Sequence, residues 1–218
     1  MKVRMTFLSG RVLVLSLAIS TGLGAMSSSY AHTAGDFSFR NGLVHPVFGT
    51  DHFLAMLSVG IVSALIGGTA LWRVPSMFVL SMIVGGGLGI LNLDLLAMDA
   101  GLIDYYVSDL IVEIVIGVSV ILFGLAIFRA DAIGERLAWI SVFSFGLFHG
   151  YAHGMEMPIG AVPFNYVGGF VVGTIAIHVG GLGIGWLSGK SNRLIGLLRA
   201  SAIVAVVAGV YFVISALG

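Results

Sequence analysis

Residues 108–128 read SDLIVEIVIGVSVILFGLAIF. After Asp109 and Glu113 near its start, the stretch carries no further charge as far as Phe128. A transmembrane helix needs about 20 mostly apolar residues, and a helix apolar on every side has no face to offer water. The segment therefore predicts a helix whose solvent is the bilayer. Outward from it, comparable apolar stretches lie at roughly 46–67, 74–91, 137–154, 163–187 and 197–217. Together they predict an all-α, polytopic membrane protein with about six transmembrane helices joined by short loops. The stretch 137–154 is short and glycine-rich, and it is the one expected to tilt or break near its end.

Composition agrees with this reading. Of 218 residues, 58% are hydrophobic and 9% charged, against roughly 25% charged in soluble domains. Glycine supplies 32 residues, about twice its usual share of ~7%. In lipid, small residues let helix backbones approach where no hydrophobic force drives association. Cysteine is absent, which excludes disulfides and thiolate metal sites and leaves N, O or thioether ligands for any metal.

The N-terminus reads as a cleavable signal peptide over residues 1–31. Lys2, Arg4 and Arg11 form a basic start, Val12 to Ala25 an apolar stretch, and Ser29-Tyr30-Ala31 a small-x-small cleavage site. An uncleaved first membrane helix is the alternative. Cleavage after Ala31 would leave one transmembrane domain, 32–218, starting at His32 on the outer side. It would also leave seven basic against ten acidic residues, a balance that does not suggest nucleic acid as a partner. Basic residues orient the spans. With the mature N-terminus outside, Arg73, Arg129, Arg136, Lys190, Arg193 and Arg199 fall on the cytoplasmic side and only Arg40 on the other. The outer segments instead hold Asp36, Asp94, Asp99, Asp104 and Glu156. The expected location is the bacterial inner membrane, with a periplasmic N-terminus.

In this frame the histidines are not scattered. His32, His45, His52, His149 and His153 map to the outer face or outer third of the membrane. The first motif runs His45-Pro46-Val47-Phe48-Gly49-Thr50-Asp51-His52. Proline suits the first turn of a helix, so His45 is expected just outside it. Seven residues on, His52 would return to nearly the same face if the turn at Gly49 stays regular. Asp51 is placed to ligate a metal or to orient an imidazole. Alternatively the motif is an interfacial polar cap. The second motif is His149-Gly150-Tyr151-Ala152-His153-Gly154-Met155-Glu156-Met157-Pro158. Histidines at i and i+4 share a helix face and can give two imidazoles to one metal. Glu156 extends that face. Gly146, Gly150 and Gly154 form a neighbouring stripe for close helix packing. The alternative here is a pair of hydrogen-bonded core histidines. Met155 and Met157 are soft ligands or packing residues.

His178 lies deeper, about 22 Å from the outer start of its span at 1.5 Å per residue. It is an inner station for an ion, a proton-linked group, or a hydrogen bond to a neighbouring helix. Glu113, near the outer end of its span, is a ligand, a relay or an interfacial residue, since an unpaired carboxylate at that depth is costly. His32 would offer an imidazole and a free terminal amine after cleavage. Imidazoles and carboxylates without thiolate suit Ni(II), Co(II), Zn(II) or Fe(II), and do not rank them.

The two motifs resemble the signatures of the HupE/UreJ family of bacterial nickel permeases. The match lies in His45-Pro46-x-x-Gly49-x-Asp51-His52-x-Leu54-Ala55-Met56 and in Phe145-Gly146-x-x-His149-Gly150-x-Ala152-His153-Gly154-x-Glu156-x-Pro158. The resemblance implies uptake of Ni(II), or in some relatives Co(II), toward hydrogenase or urease maturation. It implies metal handling by His45, Asp51, His52, His149, His153 and Glu156. The metal is cargo, and no permanently bound cofactor is expected. No nucleotide site is expected either: glycine runs such as Gly85-Gly86-Gly87 lie inside apolar spans. A different class stays open, an intramembrane Zn(II)-dependent hydrolase using the same cluster, with Ser144 or Ser58 as helpers. Involvement of His178 beyond one leaflet would favour transport over hydrolysis.

Overall fold

A computed structural model describes residues 38–91, 102–130 and 132–218, without the side chains of 102–108. The described residues form seven α-helices and no strand: α1 (Ser38–Phe48), α2 (Thr50–Ile66), α3 (Ala70–Ile90), α4 (Leu102–Phe128), α5 (Glu135–Met155), α6 (Pro163–Ser188) and α7 (Asn192–Leu217). The signal peptide read over residues 1–31, together with His32, Asp36, Asp94 and Asp99, lies outside the described residues.

Among the described residues, four helices are long and apolar enough to cross a bilayer: α3, the Asp109–Phe128 part of α4, α6 and α7. Helices α1 and α2 meet that standard only together, as one span bent by 79°. Helix α5 is 21 residues long, about 31 Å at 1.5 Å per residue. Glu135, Arg136, His149 and His153 make it less apolar than the other long helices. Among the described residues four spans, or five with the bent pair, meet this standard, against about six expected. Helix α5, expected to tilt or break near its end, runs unbroken to Met155. The break lies instead in the first span.

One end of the bundle carries interfacial anchors. Trp72, at the start of α3, and Trp186, near the end of α6, are largely exposed. Each ring is covered by a cation, Arg73 at 5.3 Å and Lys190 at 3.2 Å. Aromatic rings beside basic residues suit the membrane–water boundary. At this end Glu135 also accepts a hydrogen bond from Thr69 (2.5 Å) and one from Arg73 (3.4 Å), tying the start of α5 to the start of α3. His149 and His153 lie toward the opposite end of α5, and His52 lies at the start of α2, whose other end leads into α3.

Glycine-lined seams hold the helices in close pairs. On α5, a Cβ at Gly150 would collide with the carbonyl oxygen of Met82 on α3. The stripe expected from Gly146, Gly150 and Gly154 is thus the α3–α5 contact, backbone against backbone. Gly60 of α2 and Gly181 of α6 likewise face the carbonyls of His178 and Leu57. Gly117 of α4 sits against α7 at Gly209 and Val213. Between the seams a buried core of Ala55, Met56, Val59, Phe78, Met82 and Phe170 draws on α2, α3 and α6. Close backbone contact leaves these helices little freedom to shift, so the side chains they carry are held in register.

Candidate metal site

The first motif does not lie on one helix face. His45 and Pro46 are both inside α1, the helix ends at Phe48, and Gly49 turns the chain into α2. Proline lacks an N–H and crowds the carbonyl one turn back, so a helix carrying Pro46 has reason to end soon after it. Gly49 adopts an extended conformation at the start of α2. The single regular helix expected to carry His45 and His52 is therefore replaced by two helices. The consequence is convergence: both histidines reach the second motif, one from each side of the break.

His153 of α5 stands between them. Its ring centroid is 4.7 Å from that of His45 and 4.1 Å from that of His52. His52 is in turn 4.8 Å from His149. Four imidazoles from α1, α2 and α5 thus form one continuous row. His52, His149 and His153 are buried, while His45 is half-buried toward the outside.

The carboxylates hold this row at two points. Asp51 Oδ1 lies 2.8 Å from His52 Nδ1 and also accepts the His52 backbone N–H. A carboxylate only accepts, so Nδ1 carries the proton and Nε2 is left with a lone pair. His149 is set the same way: its Nδ1 donates to the Phe145 carbonyl one turn back, at 3.0 Å. Among the described residues, Nε2 of both rings has no hydrogen-bond partner, and neither nitrogen of His153 has one. Orphaned buried polar atoms cost about 1–3 kcal/mol each. Fixing one nitrogen by a carboxylate or carbonyl so that the other is free is how proteins present imidazole to a metal.

Glu156 closes the outer end. Its Oε2 accepts from His45 Nε2 at 3.0 Å and lies 3.7 Å from His153 Nδ1, the latter too long for a hydrogen bond. Ligand atoms of His45, His153 and Glu156 all lie within 4.8 Å of one another. Burial alone would raise the Glu156 carboxyl, but the imidazoles of His153 and His45 hold it below the ordinary carboxylate range.

These features can be set beside known proteins. A family model described as HupE / UreJ protein matches residues 19–212. The chain belongs to the HupE/UreJ family. It is 36% identical over 163 residues to Protein HupE of Rhizobium leguminosarum bv. viciae, covering 74% of this chain and 78% of that one. No solved structure matches. With its apolar helices, this HupE/UreJ chain is a multi-pass membrane protein. Nothing in these matches supports the hydrolase alternative, and the Ser144 hydroxyl is exposed and committed to the Ile140 carbonyl.

Six residues expected to handle metal in this HupE/UreJ chain, His45, Asp51, His52, His149, His153 and Glu156, come together. Glu113, half-buried on α4, makes no hydrogen bond or ion pair with them among the described residues. His178 is also set apart. Phe78 stands between it and the row, with its ring 5.4 Å from His149 and 5.3 Å from His178. Two aromatic neighbours escaped the sequence reading. Phe170 packs against His153 at 4.3 Å, and Tyr166 lies 5.9 Å from His45 with its buried hydroxyl unpartnered among the described residues. An aromatic in an apolar span carries no sequence signal of what it faces. Only the i, i+4 spacing of Tyr166 and Phe170 marks a shared side.

Proposed function

We propose that this protein is a permease of the bacterial inner membrane that takes up a divalent transition metal, Ni(II) first and Co(II) second, for hydrogenase or urease maturation. The observation that carries the reading is the row of four imidazoles, three of which keep free, buried nitrogens. A packed core has no use for such atoms, whereas a borderline divalent ion does. In this reading Glu156 and His45 meet the ion at the periplasmic mouth. His153, His52 and His149 then offer successive nitrogens toward the bilayer centre, and Asp51 fixes the His52 ring. Conduction needs release as much as capture, so the ion passes from nitrogen to nitrogen rather than being held by all of them at once. Nickel is placed ahead of cobalt because the motif resemblance implies it; the ligand types alone also admit Zn(II). The ion is substrate throughout, and the protein acts as a transporter rather than an enzyme.

Uptake of radiolabelled Ni(II) and Co(II), each competed by the other and by Zn(II), in cells lacking other carriers, tests this directly. Cells making the wild-type protein should accumulate nickel, and those making His52→Ala at equal membrane levels should not. Equal uptake by the two would refute the site.

A further inference from the structure

Beyond Phe78 the row of touching imidazoles ends, yet His178 on α6 is almost wholly buried with both ring nitrogens unpartnered among the described residues. One turn earlier on the same face, the hydroxyl of Thr174 is equally buried and equally unpartnered. An apolar residue of similar size would fill this space without such a cost. The helix is pinned at this point, because Gly60 of α2 packs on the His178 carbonyl. His178 also lines a groove of about 600 Å³ between α3 and α6, walled by Pro75, Ser76, Val79, Ile175 and Val179 and running to Trp72. Trp72 belongs to the end of the bundle that carries Arg73 and Lys190. His178 thus has the histidine row on one side, behind Phe78, and on the other an apolar groove that extends to Trp72.

We propose that His178, assisted by Thr174, is a second, inner binding station for the transported divalent ion. The proposal rests on the permease reading and gives that pathway a release step. One imidazole, one hydroxyl and water make a weaker site than several imidazoles with carboxylates. That is the gradient a release side requires, since an ion must be able to leave.

The full chain in sealed vesicles tests this. His178→Leu removes both nitrogens at similar size. It should leave nickel affinity at the outer cluster within about twofold of wild type and lower vesicle uptake at least about tenfold, the signature of a lost step after capture. The protein has no native cysteine, so His178→Cys supplies a unique thiol and a soft ligand for Cd(II). Cd(II) should slow its alkylation, and adding His52→Ala should remove that protection when Cd(II) is supplied from the cluster side. Wild-type uptake in His178→Leu, or a thiol in His178→Cys that Cd(II) does not protect, overturns the inner station while leaving the outer cluster standing. Wild-type vesicles that accumulate no nickel overturn the permease reading itself.

Discussion

The two histidine motifs reach the same place by opposite means. In α5, His149 and His153 ride one unbroken helix, and their convergence follows from the spacing of i and i+4 alone. In the first motif, His45 and His52 converge because the helix fails: α1 ends, Gly49 turns the chain by 79°, and α2 begins. The unbroken motif derives its precision from a backbone seam with α3. The broken one derives it from Asp51 gripping His52. The difference teaches where each is vulnerable. The α5 pair should suffer from changes that push helices apart, and the α1–α2 pair from changes within a few residues of the break.

The largest effect should come from removing the imidazole where the motifs meet. His153 touches both His45 and His52. His153→Ala in the purified protein should weaken Ni(II) binding by more than about 100-fold, beyond the range of a merely supporting residue. Equilibrium dialysis checks this. A loss of tenfold or less would mean that the motifs act separately and that the row is not one site.

Next comes the seam. A side chain at Gly150 meets the Met82 carbonyl, which cannot move without its helix. Gly150→Val should cost about 3 kcal/mol or more, at the upper end for overpacking, and should shorten thermal survival of the detergent-solubilised protein. Gly87, with nothing near its missing Cβ, is the control and should accept Ala without loss. If Gly150→Val were as well tolerated, α5 would not be held by close contact.

Much of this was legible in the sequence. Low charge and high glycine made helices in a bilayer the only consistent reading, and residue type and spacing singled out the six residues that converge. The Gly146, Gly150 and Gly154 stripe was readable because a period of four is a geometric statement in any helix. The kink was not. Pro46 fits the first turn of a helix or a position near its end, and only tertiary packing decides between them. Phe78, Tyr166 and Phe170 were invisible as neighbours of the site because apolar residues in a membrane span all satisfy the same solvent. Glu113 stays apart for the converse reason: a carboxylate at depth signals function without naming its partner.

Smaller effects lie at the break. Asp51→Asn keeps the shape but weakens the acceptor that orients His52. A fall of about 10–100-fold in nickel affinity is expected, as for other residues that position a ligand. Binding unchanged in that variant would mean His52 is oriented by packing alone. Gly49→Ala should do less. A Cβ there would stand 3.2 Å from His52 Nδ1 and 3.4 Å from Asp51 Oδ1, so the pair must yield by a few tenths of an ångström. About 1 kcal/mol of strain would show as roughly a fivefold loss of affinity. An Ala variant indistinguishable from wild type would place the need for glycine elsewhere.

The smallest effect should belong to Glu156, and it separates two sources of pH dependence. Its side chain is half exposed, so losing its charge should weaken nickel binding only about two- to threefold. Because its carboxyl is held below the ordinary range, what the charge contributes is present above that range and would be lost only as pH falls through the depressed value. Between pH 5 and pH 8 it therefore stays ionised, with no step of its own. Any fall in affinity on acidification across that interval must then come from groups other than Glu156. Glu156→Gln and wild-type binding curves against pH should accordingly run parallel, offset by a constant factor. Curves that converge at low pH would show that Glu156 itself titrates there. The outer mouth would then be set by the carboxylate, and the histidine row behind it would not be the origin of acid inhibition.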